Sequence, residues 1–170
     1  MHRPTPKIEP WLAAGLCGSA IVATAPCGFA AQYLDTNQAL RLCFPSAASF
    51  EPRAISGGAT RCWDARGPSG LLGHAFLDAV IGKHLLIDYM LAVDPAGKIL
   101  HLEILAYRES YGGEIRGAAW RKQFQGHGPS KPPRFQKDVV NIGGATLSCR
   151  HITEGVSRLL RLFAERIVPR

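Results

Sequence analysis

The sequence lacks several patterns that would identify a familiar class of protein. Its 20 Lys and Arg residues are scattered, so the net charge of +7 is not concentrated in a nucleic-acid-binding tract. No Cys-x-x-Cys pair is present, which excludes covalent haem attachment and the common zinc and thiol-redox motifs. Gly-x-Ser-x-Gly, His-Glu-x-x-His and the Gly-Lys phosphate loop are also missing. These absences leave no standard hydrolase, metalloprotease or nucleotidase motif.

Residues 1–31 have the features of a targeting segment. Arg3 and Lys7 precede an uncharged apolar run over residues 11–25, and small residues follow Pro26. The run is shorter than the roughly 20 apolar residues that cross a membrane, which favours a signal peptide cleaved after Ala30 or Ala31 over an uncleaved anchor helix. We therefore expect a periplasmic or other extracytoplasmic domain over residues 32–170, with its core at about residues 71–165 and the anchor as the alternative.

The remaining chain predicts one α+β domain, a small antiparallel sheet packed with helices, because no internal repeat divides it. A helix over 37–44 is expected to be capped by Thr36 or Asn37, and residues 46–70 to be mostly loop with short strands. Strands are predicted over 71–80, 85–93 and 99–108, the last two joined by a Pro-Ala-Gly turn. A helix over 114–125, a short strand over 138–142 and an amphipathic helix over 147–167 complete the prediction.

Two features of these elements carry further expectations. In the strand at 99–108, alternation places His101 and Glu103 on a solvated face and Leu100, Leu102 and Ile104 on a buried one. No third potential ligand lies at a sequence spacing from His101 and Glu103 that would indicate a metal site, so none is predicted. The mature domain keeps Cys43, Cys62 and Cys149, and the sequence permits either a Cys43–Cys62 disulfide or buried free thiols.

One constellation can carry chemistry: a strand, a glycine turn, hydroxyl residues and a helix start between residues 138 and 149. The Gly143-Gly144-Ala145 turn removes side-chain bulk, and the amides of Leu147, Ser148 and Cys149 at the helix start would face a bound anion. The alternative is that Thr146 or Ser148 merely caps the helix.

The stretch Asp138-Val139-Val140-Asn141-Ile142-Gly143-Gly144-Ala145-Thr146-Leu147-Ser148 resembles the flavinylation motif of FMN-binding domains. Members of that family include the C subunit of the sodium-pumping NADH:quinone oxidoreductase and the G subunit of the Rnf complex. The resemblance implies covalent FMN, joined through its phosphate to Thr146 by a flavin transferase, with Ser148 as the second hydroxyl. Gly143 stands where the family commonly has Ser or Thr.

The resemblance extends beyond this motif. Residues 99–126 are similar to the family's strand, Glu-Ser-x-Gly turn and aromatic helix, and residues 33–44 and 71–83 to the leader region of its small exported members. A second Gly-Gly-Ala-Thr string at residues 57–60 has no second hydroxyl residue two places on and opens no amphipathic helix. Thr146 alone is therefore expected to carry the flavin, and not Thr60.

The predicted cofactor-binding residues fall into three groups and include no catalytic residue. The motif supplies Gly143, Gly144, Ala145, Thr146, Leu147 and Ser148, and the turn expected opposite supplies Glu109, Ser110, Gly112 and Gly113. Trp120 and Phe124 lie four apart on one helix face and are candidate ring partners, with ordinary core packing as the alternative. Which of Arg108, Arg116 and Arg121 lies near the ring stays open.

The function expected from the resemblance is an exported flavoprotein that passes electrons between membrane or periplasmic redox partners. It is expected to be an electron carrier more than a stand-alone enzyme. One alternative is the flavin domain of a multi-subunit reductase. The other, from a different class, is an extracytoplasmic binding or scaffold protein without redox activity.

Overall fold

The computed structural model describes residues 31–55 and 59–167. The targeting segment, apart from Ala31, and Ser56-Gly57-Gly58 of the second glycine string lie outside the described residues. Within those residues, six strands form one antiparallel sheet in the order β1-β6-β5-β4-β3-β2. The strands are β1 (Ala31–Gln32), β2 (Ser49–Arg53), β3 (Arg61–Gly67), β4 (Gly70–Ile81), β5 (Leu86–Val93) and β6 (Ile99–Tyr107). The prediction of an α+β domain built on an antiparallel sheet is confirmed.

Three helices cover the sheet: α1 (Thr36–Cys43), α2 (Ala118–Lys122) and α3 (Thr146–Arg166). Leu40 and Phe44 of the α1 region pack with Met90 and Leu105 on one face of the sheet. On the other face, the apolar stripe of α3 packs with residues such as Phe76, Tyr89 and Leu102. Both faces are therefore buried, and the sheet is the middle layer of the domain.

The β5–β6 hairpin forms as the sequence predicts. The Asp94 side chain accepts hydrogen bonds from the amides of Ala96 and Lys98 at 2.9 and 2.8 Å. Gly97 has a φ of +85°, and a Cβ there would lie 2.4 Å from the Phe163 ring. Only glycine satisfies both the turn and this packing.

The prediction that His101 and Glu103 lie on a solvated face of β6 is wrong. Glu103 is buried, where its Oε2 accepts hydrogen bonds from Arg121 Nη1 at 2.5 Å and pairs with His101 Nε2 at 3.0 Å. Although burial opposes ionisation, these two partners lower the pKa of Glu103. The register shifts near residues 100 and 105, and Leu100 is 39% exposed instead of buried. The bulge at Leu100 breaks the strict alternation there, whereas Glu103 is buried because α1 covers its face of the sheet, beside Met90.

Three element predictions also need correction. Helix α1 is capped by Asp35, which forms a capping box with Gln38, and not by Thr36 or Asn37. The helix expected over 114–125 is divided into a 3₁₀ turn (Gly113–Arg116) and α2, because Gly117 has an extended ψ of 129°. Residues 138–142 form no strand and contribute only a bridge between Val139 and Phe135.

The cysteines of the described chain are free and buried. Cys43 belongs to the core on the α1 face, whereas Cys62 belongs to the core on the α3 face. The sheet therefore separates the two residues for which the sequence permitted a disulfide. Burial raises the pKa of each of these two thiols to about 12, and it also raises that of Cys149. At neutral pH all three thiols are protonated.

Candidate functional site: a cleft at the start of helix α3

Thr146 is the first residue of α3 and is exposed at the wall of an open cleft of about 600 Å³. Its Oγ1 accepts a hydrogen bond from Asn141 Nδ2 at 3.0 Å. Gly144, with a φ of +82°, makes the turn into the helix, and the Ala145 amide closes it by donating to the Ile142 carbonyl at 3.0 Å. The Thr146 hydroxyl is thus accessible to solvent while its oxygen is paired with Asn141.

The segment before Thr146 is fastened to α2 through Val140. Trp120 Nε1 donates to the Val140 carbonyl at 2.9 Å, and the Val140 amide donates to Gln123 Oε1 at 2.8 Å. Two side chains thus satisfy both backbone groups of one residue, as a neighbouring strand would do. This side-chain pairing keeps the loop ordered although residues 138–142 do not join the sheet.

In the first turn of α3, several backbone amides have no hydrogen-bond acceptor among the described residues. Ala145 occupies the N-cap position, and its side chain makes no capping hydrogen bond. Among the described residues, nothing accepts from the amides of Thr146, Leu147 and Ser148, whereas the Cys149 amide donates to the Ala145 carbonyl at 2.9 Å. The expected set of free amides is therefore shifted by one residue, and neither Thr146 nor Ser148 is the cap. Unpaired amides at a helix start favour a negatively charged group.

The opposite lip of the cleft is the turn between β4 and β5, held by Glu109. One carboxylate oxygen, Oε1, accepts from the amides of His84 and Leu85 at 2.5 and 2.8 Å. A Cβ at Gly82 would lie 2.7 Å from this oxygen, so the close approach depends on glycine. The amide hydrogen bonds outweigh partial desolvation and lower the pKa of Glu109. As a result the lip is held by an ionised carboxylate.

Tyr107 links α3 to residues 107–111, which form another wall of the cleft. Its hydroxyl donates to the Tyr111 carbonyl and lies 3.2 Å from Ser148 Oγ, which therefore acts as the donor of that pair. Gly112 has a φ of +90°, and a Cβ there would lie 2.6 Å from Ala145 Cβ and 2.7 Å from the Tyr107 hydroxyl. Ser148 is buried, so its hydroxyl fixes the shape of the cleft.

The cleft brings together residues from three segments of the chain. Its lining is Lys83, His84, Tyr107, Glu109, Ser110, Tyr111, Gly144, Ala145, Thr146, Leu147 and Ser148. Of the predicted residues, Gly112, Gly113, Gly143, Trp120 and Phe124 are not in this lining. Trp120 and Phe124 are buried in the core with their rings edge to face at 5.1 Å. Their packing follows the alternative that the sequence left open.

The three arginines considered for the ring environment have other partners. Arg108 pairs with Asp88 at 2.6 Å, Arg121 pairs with Glu103, and the Arg116 guanidinium stacks 3.4 Å from the centre of the Tyr33 ring. The basic side chains of the cleft are instead Lys83 and His84. No local pattern marked these two residues, because they reach the cleft only through the pairing of β4 with β5.

A family model described as the FMN-binding domain matches residues 82–161, which include both lips of the cleft and Thr146. The segment that holds the cleft is therefore similar to FMN-binding domains. Strands β1 to β4 precede the matched segment, whereas β5, β6 and all of the cleft lining fall within it.

Two known proteins extend this comparison. The G subunit of an ion-translocating oxidoreductase complex from Stutzerimonas stutzeri is 29% identical over 133 residues. The match covers 72% of this chain but 58% of that protein, so the chain spans less than two thirds of the relative's length. The crystal structure of NqrC from Shewanella oneidensis superposes with a TM-score of 0.52 at 14% identity, covering 80% of this chain and 79% of that one. At this identity the likeness concerns the fold alone.

The residues of the cleft fit FMN on structural grounds. A Cβ added at Gly143 or Gly144 would meet no atom within 4 Å, so the approach to Thr146 is open. The unpaired amides suit a phosphate, and the volume lies in the usual range for a small-ligand site. Asn141 Oδ1 is buried without a hydrogen-bond partner among the described residues, which leaves an unused acceptor directly behind the hydroxyl.

Two other kinds of feature are absent from the described part of the chain. Residues 31–55 and 59–167 contain no cluster of three metal-ligating side chains, and His101 with Glu103 belongs to the Arg121 ion-pair network. Nor does any helix within these residues have the length and apolar character to cross a membrane.

Proposed function

We propose that this chain is an extracytoplasmic electron-transfer flavoprotein that carries FMN esterified through its phosphate to Thr146. The observation that carries the proposal is an exposed threonine hydroxyl on the first turn of α3, beside three unpaired amides and at the wall of the cleft. The family match over residues 82–161 supports FMN as the ligand. When bound, FMN supplies the capacity to accept and release electrons.

Different residues of the chain would bind the cofactor and hold the walls of the cleft around it. The amides of Thr146, Leu147 and Ser148 would donate to the phosphate oxygens, and the helix dipole favours the negative charge that remains after esterification. Glu109 and Tyr107 would keep the walls in place through the hydrogen bonds described above. The covalent bond would prevent loss of the cofactor to dilute surroundings outside the cytoplasm.

The mouth of the cleft suits contact with a redox partner. Tyr111 is 82% exposed, Leu147 is 39% exposed, and Leu85 on the opposite lip is 47% exposed. Exposed apolar side chains concentrated around one site are typical of an interaction surface. The similarity to a component of an ion-translocating oxidoreductase complex favours membrane-complex subunits as partners, and a flavin transferase is the proposed maturation partner. Reductase activity of the complete assembly is the second candidate function.

Intact mass and in-gel fluorescence test the proposal. Protein co-expressed with a flavin transferase is expected to be yellow, heavier by one FMN minus one water, and fluorescent after denaturation. Thr146→Ala should abolish the added mass and the fluorescence, whereas Thr60→Ala, in the second glycine string, should retain both. A Thr146→Ala protein that stays covalently yellow would refute the assignment. Colourless wild-type protein of unmodified mass would favour the scaffold alternative.

Two further measurements address the remaining parts of the proposal. The N-terminal sequence of the mature protein, purified from an extracytoplasmic fraction, tests cleavage after Ala30 or Ala31. A steady-state screen of the purified flavoprotein with electron donors and acceptors separates a carrier from a self-sufficient reductase, since a carrier turns over only with its partners.

A further inference from the structure

Asn141 is the only described side chain whose buried polar atom lacks a hydrogen-bond partner, and it is also the residue that contacts the Thr146 hydroxyl. Nδ2 donates to Thr146 Oγ1 at 3.0 Å, while Oδ1 is buried and unpaired among the described residues. An unpaired buried carbonyl oxygen destabilises the folded state, so this arrangement needs a reason.

The backbone around Asn141 is fixed from both sides. The preceding residue, Val140, is held by Trp120 and Gln123, and the following residue, Ile142, accepts from the Ala145 amide. The backbone of Asn141 therefore cannot move away from Thr146 without breaking these contacts. Rotation of the carboxamide about the Cβ–Cγ bond exchanges Oδ1 and Nδ2 without moving the backbone.

We propose that Asn141 is the positioning residue for modification of Thr146, serving first as acceptor and then as donor. This inference rests on the proposed function. With Oδ1 turned toward Thr146, the carboxamide accepts a hydrogen bond from the hydroxyl and leaves an Oγ1 lone pair directed at the cleft. With Nδ2 turned toward Thr146, it donates to Oγ1, and this is the only pairing that an esterified oxygen without a proton can make.

The modification balances without any redox step. Thr146 Oγ1 attacks the phosphorus of an activated flavin phosphate, here a flavin dinucleotide, and the Oγ1–P bond forms. The pyrophosphate P–O bond breaks, the nucleoside monophosphate leaves with the electron pair, and the hydroxyl proton is released to solvent. Asn141 takes no proton in this step and only orients Oγ1 before and after it.

Asparagine suits both stages, whereas aspartate suits only the first. A carboxylate can accept a hydrogen bond from the hydroxyl, but it cannot donate to the ester oxygen and would repel the neighbouring phosphodiester charge. Asn141→Asp keeps the side-chain shape, so it separates hydrogen bonding from packing. Asn141→Ala removes both the donor and the acceptor.

The test measures the initial rate of FMN incorporation by intact mass, with purified apoprotein, limiting flavin transferase and flavin adenine dinucleotide. Rates are normalised to the folded fraction from a thermal melt. Asn141→Ala should be about tenfold slower than wild type, which corresponds to the loss of one hydrogen bond. Asn141→Asp should be slower still, because its carboxylate repels the incoming phosphate although it can accept a hydrogen bond from the hydroxyl. The matched control, Asn37→Asp on an exposed position of α1, should react at the wild-type rate.

A second readout separates positioning from simple structural support. In fully modified Asn141→Asp, the ³¹P resonance of the ester should shift as the introduced carboxylate titrates, while the resonance of Asn37→Asp should not. Normalised rates within twofold of wild type for both Asn141 variants would overturn the inference and leave the proposed function intact. Wild-type protein that is never modified would overturn both.

Discussion

The indole nitrogen of Trp120 donates a hydrogen bond to the carbonyl of Val140 at 2.9 Å, and this contact ties the loop before Thr146 to α2. The ring itself is buried against Phe124 in the core. Trp120 therefore supports the loop before Thr146 from the core and does not line the cleft.

This relationship predicts the effect of Trp120→Phe. The variant keeps an apolar ring but loses the donor, so the free energy of unfolding should fall by about 1–2 kcal/mol, and FMN incorporation at Thr146 should slow. Urea unfolding and the mass assay measure the two effects. Trp63→Phe is the control, since Trp63 is half-buried on β3, where it stacks with Arg61. An equal loss of incorporation in both variants would contradict the supporting role of Trp120.

Gly112 and Gly113 form a matched pair. Gly112→Ala places a Cβ against Ala145 and Tyr107 at a φ of +90°, so we expect a loss of roughly 2–4 kcal/mol of unfolding free energy. At Gly113 a Cβ would meet nothing within 4 Å, and Gly113→Ala should change stability by less than about 1 kcal/mol. Chemical denaturation of both variants checks the difference. Similar losses at the two positions would show that the Gly112 contact with Ala145 does not hold the helix start in place.

Glu109 accepts hydrogen bonds from the His84 and Leu85 amides, and these predict that the stability of the β4–β5 turn depends on pH. The pKa of Glu109 is lowered from 4.5 in the folded protein, so its stabilising contribution is complete above pH 4.5 and is lost as the pH falls through the lowered value. NMR titration of the Glu109 side-chain carboxyl carbon should give a midpoint below 4.5. Glu109→Gln should increase hydrogen exchange at the His84 and Leu85 amides at neutral pH, whereas Glu114→Gln, at an exposed position, should leave it unchanged. A titration midpoint at 4.5 for Glu109 would contradict the proposed stabilisation of the turn by its ionised carboxylate.

The position of Lys83 in the cleft lining predicts that replacing it changes the flavin midpoint potential. A cation lining the cleft favours the reduced flavin anion, so Lys83→Met should lower the two-electron potential on the order of 10 mV, from about 0.5 kcal/mol for charges ~8 Å apart in water. Spectroelectrochemical titration measures the shift, and it should shrink as salt is added. Lys137→Met, at an exposed position outside the cleft lining, is the control. An unchanged potential in Lys83→Met would place the reducible ring away from this lip.

Elements specified by neighbouring residues could be predicted from the sequence. The β5–β6 hairpin depends on Asp94 and Gly97 within one turn, and α3 depends on an apolar stripe that repeats every three to four residues. The motif before Thr146 is equally local, since a glycine turn followed by a helix needs only consecutive residues. For that reason the sequence located the candidate modification site to a single threonine.

The surroundings of that threonine were decided by tertiary structure. Glu109 reaches the His84 amide 25 residues away, Ser148 pairs with Tyr107 across 41 residues, and His151 contacts the Ile81 carbonyl across 70. Periodicity reports only which side of its own element a residue occupies, so it could not choose Lys83 and His84 over Arg108, Arg116 and Arg121 as the cations of the cleft. By itself the sequence determined the hydroxyl and its turn; strand pairing and side-chain contacts between distant segments determined the cleft that the hydroxyl faces.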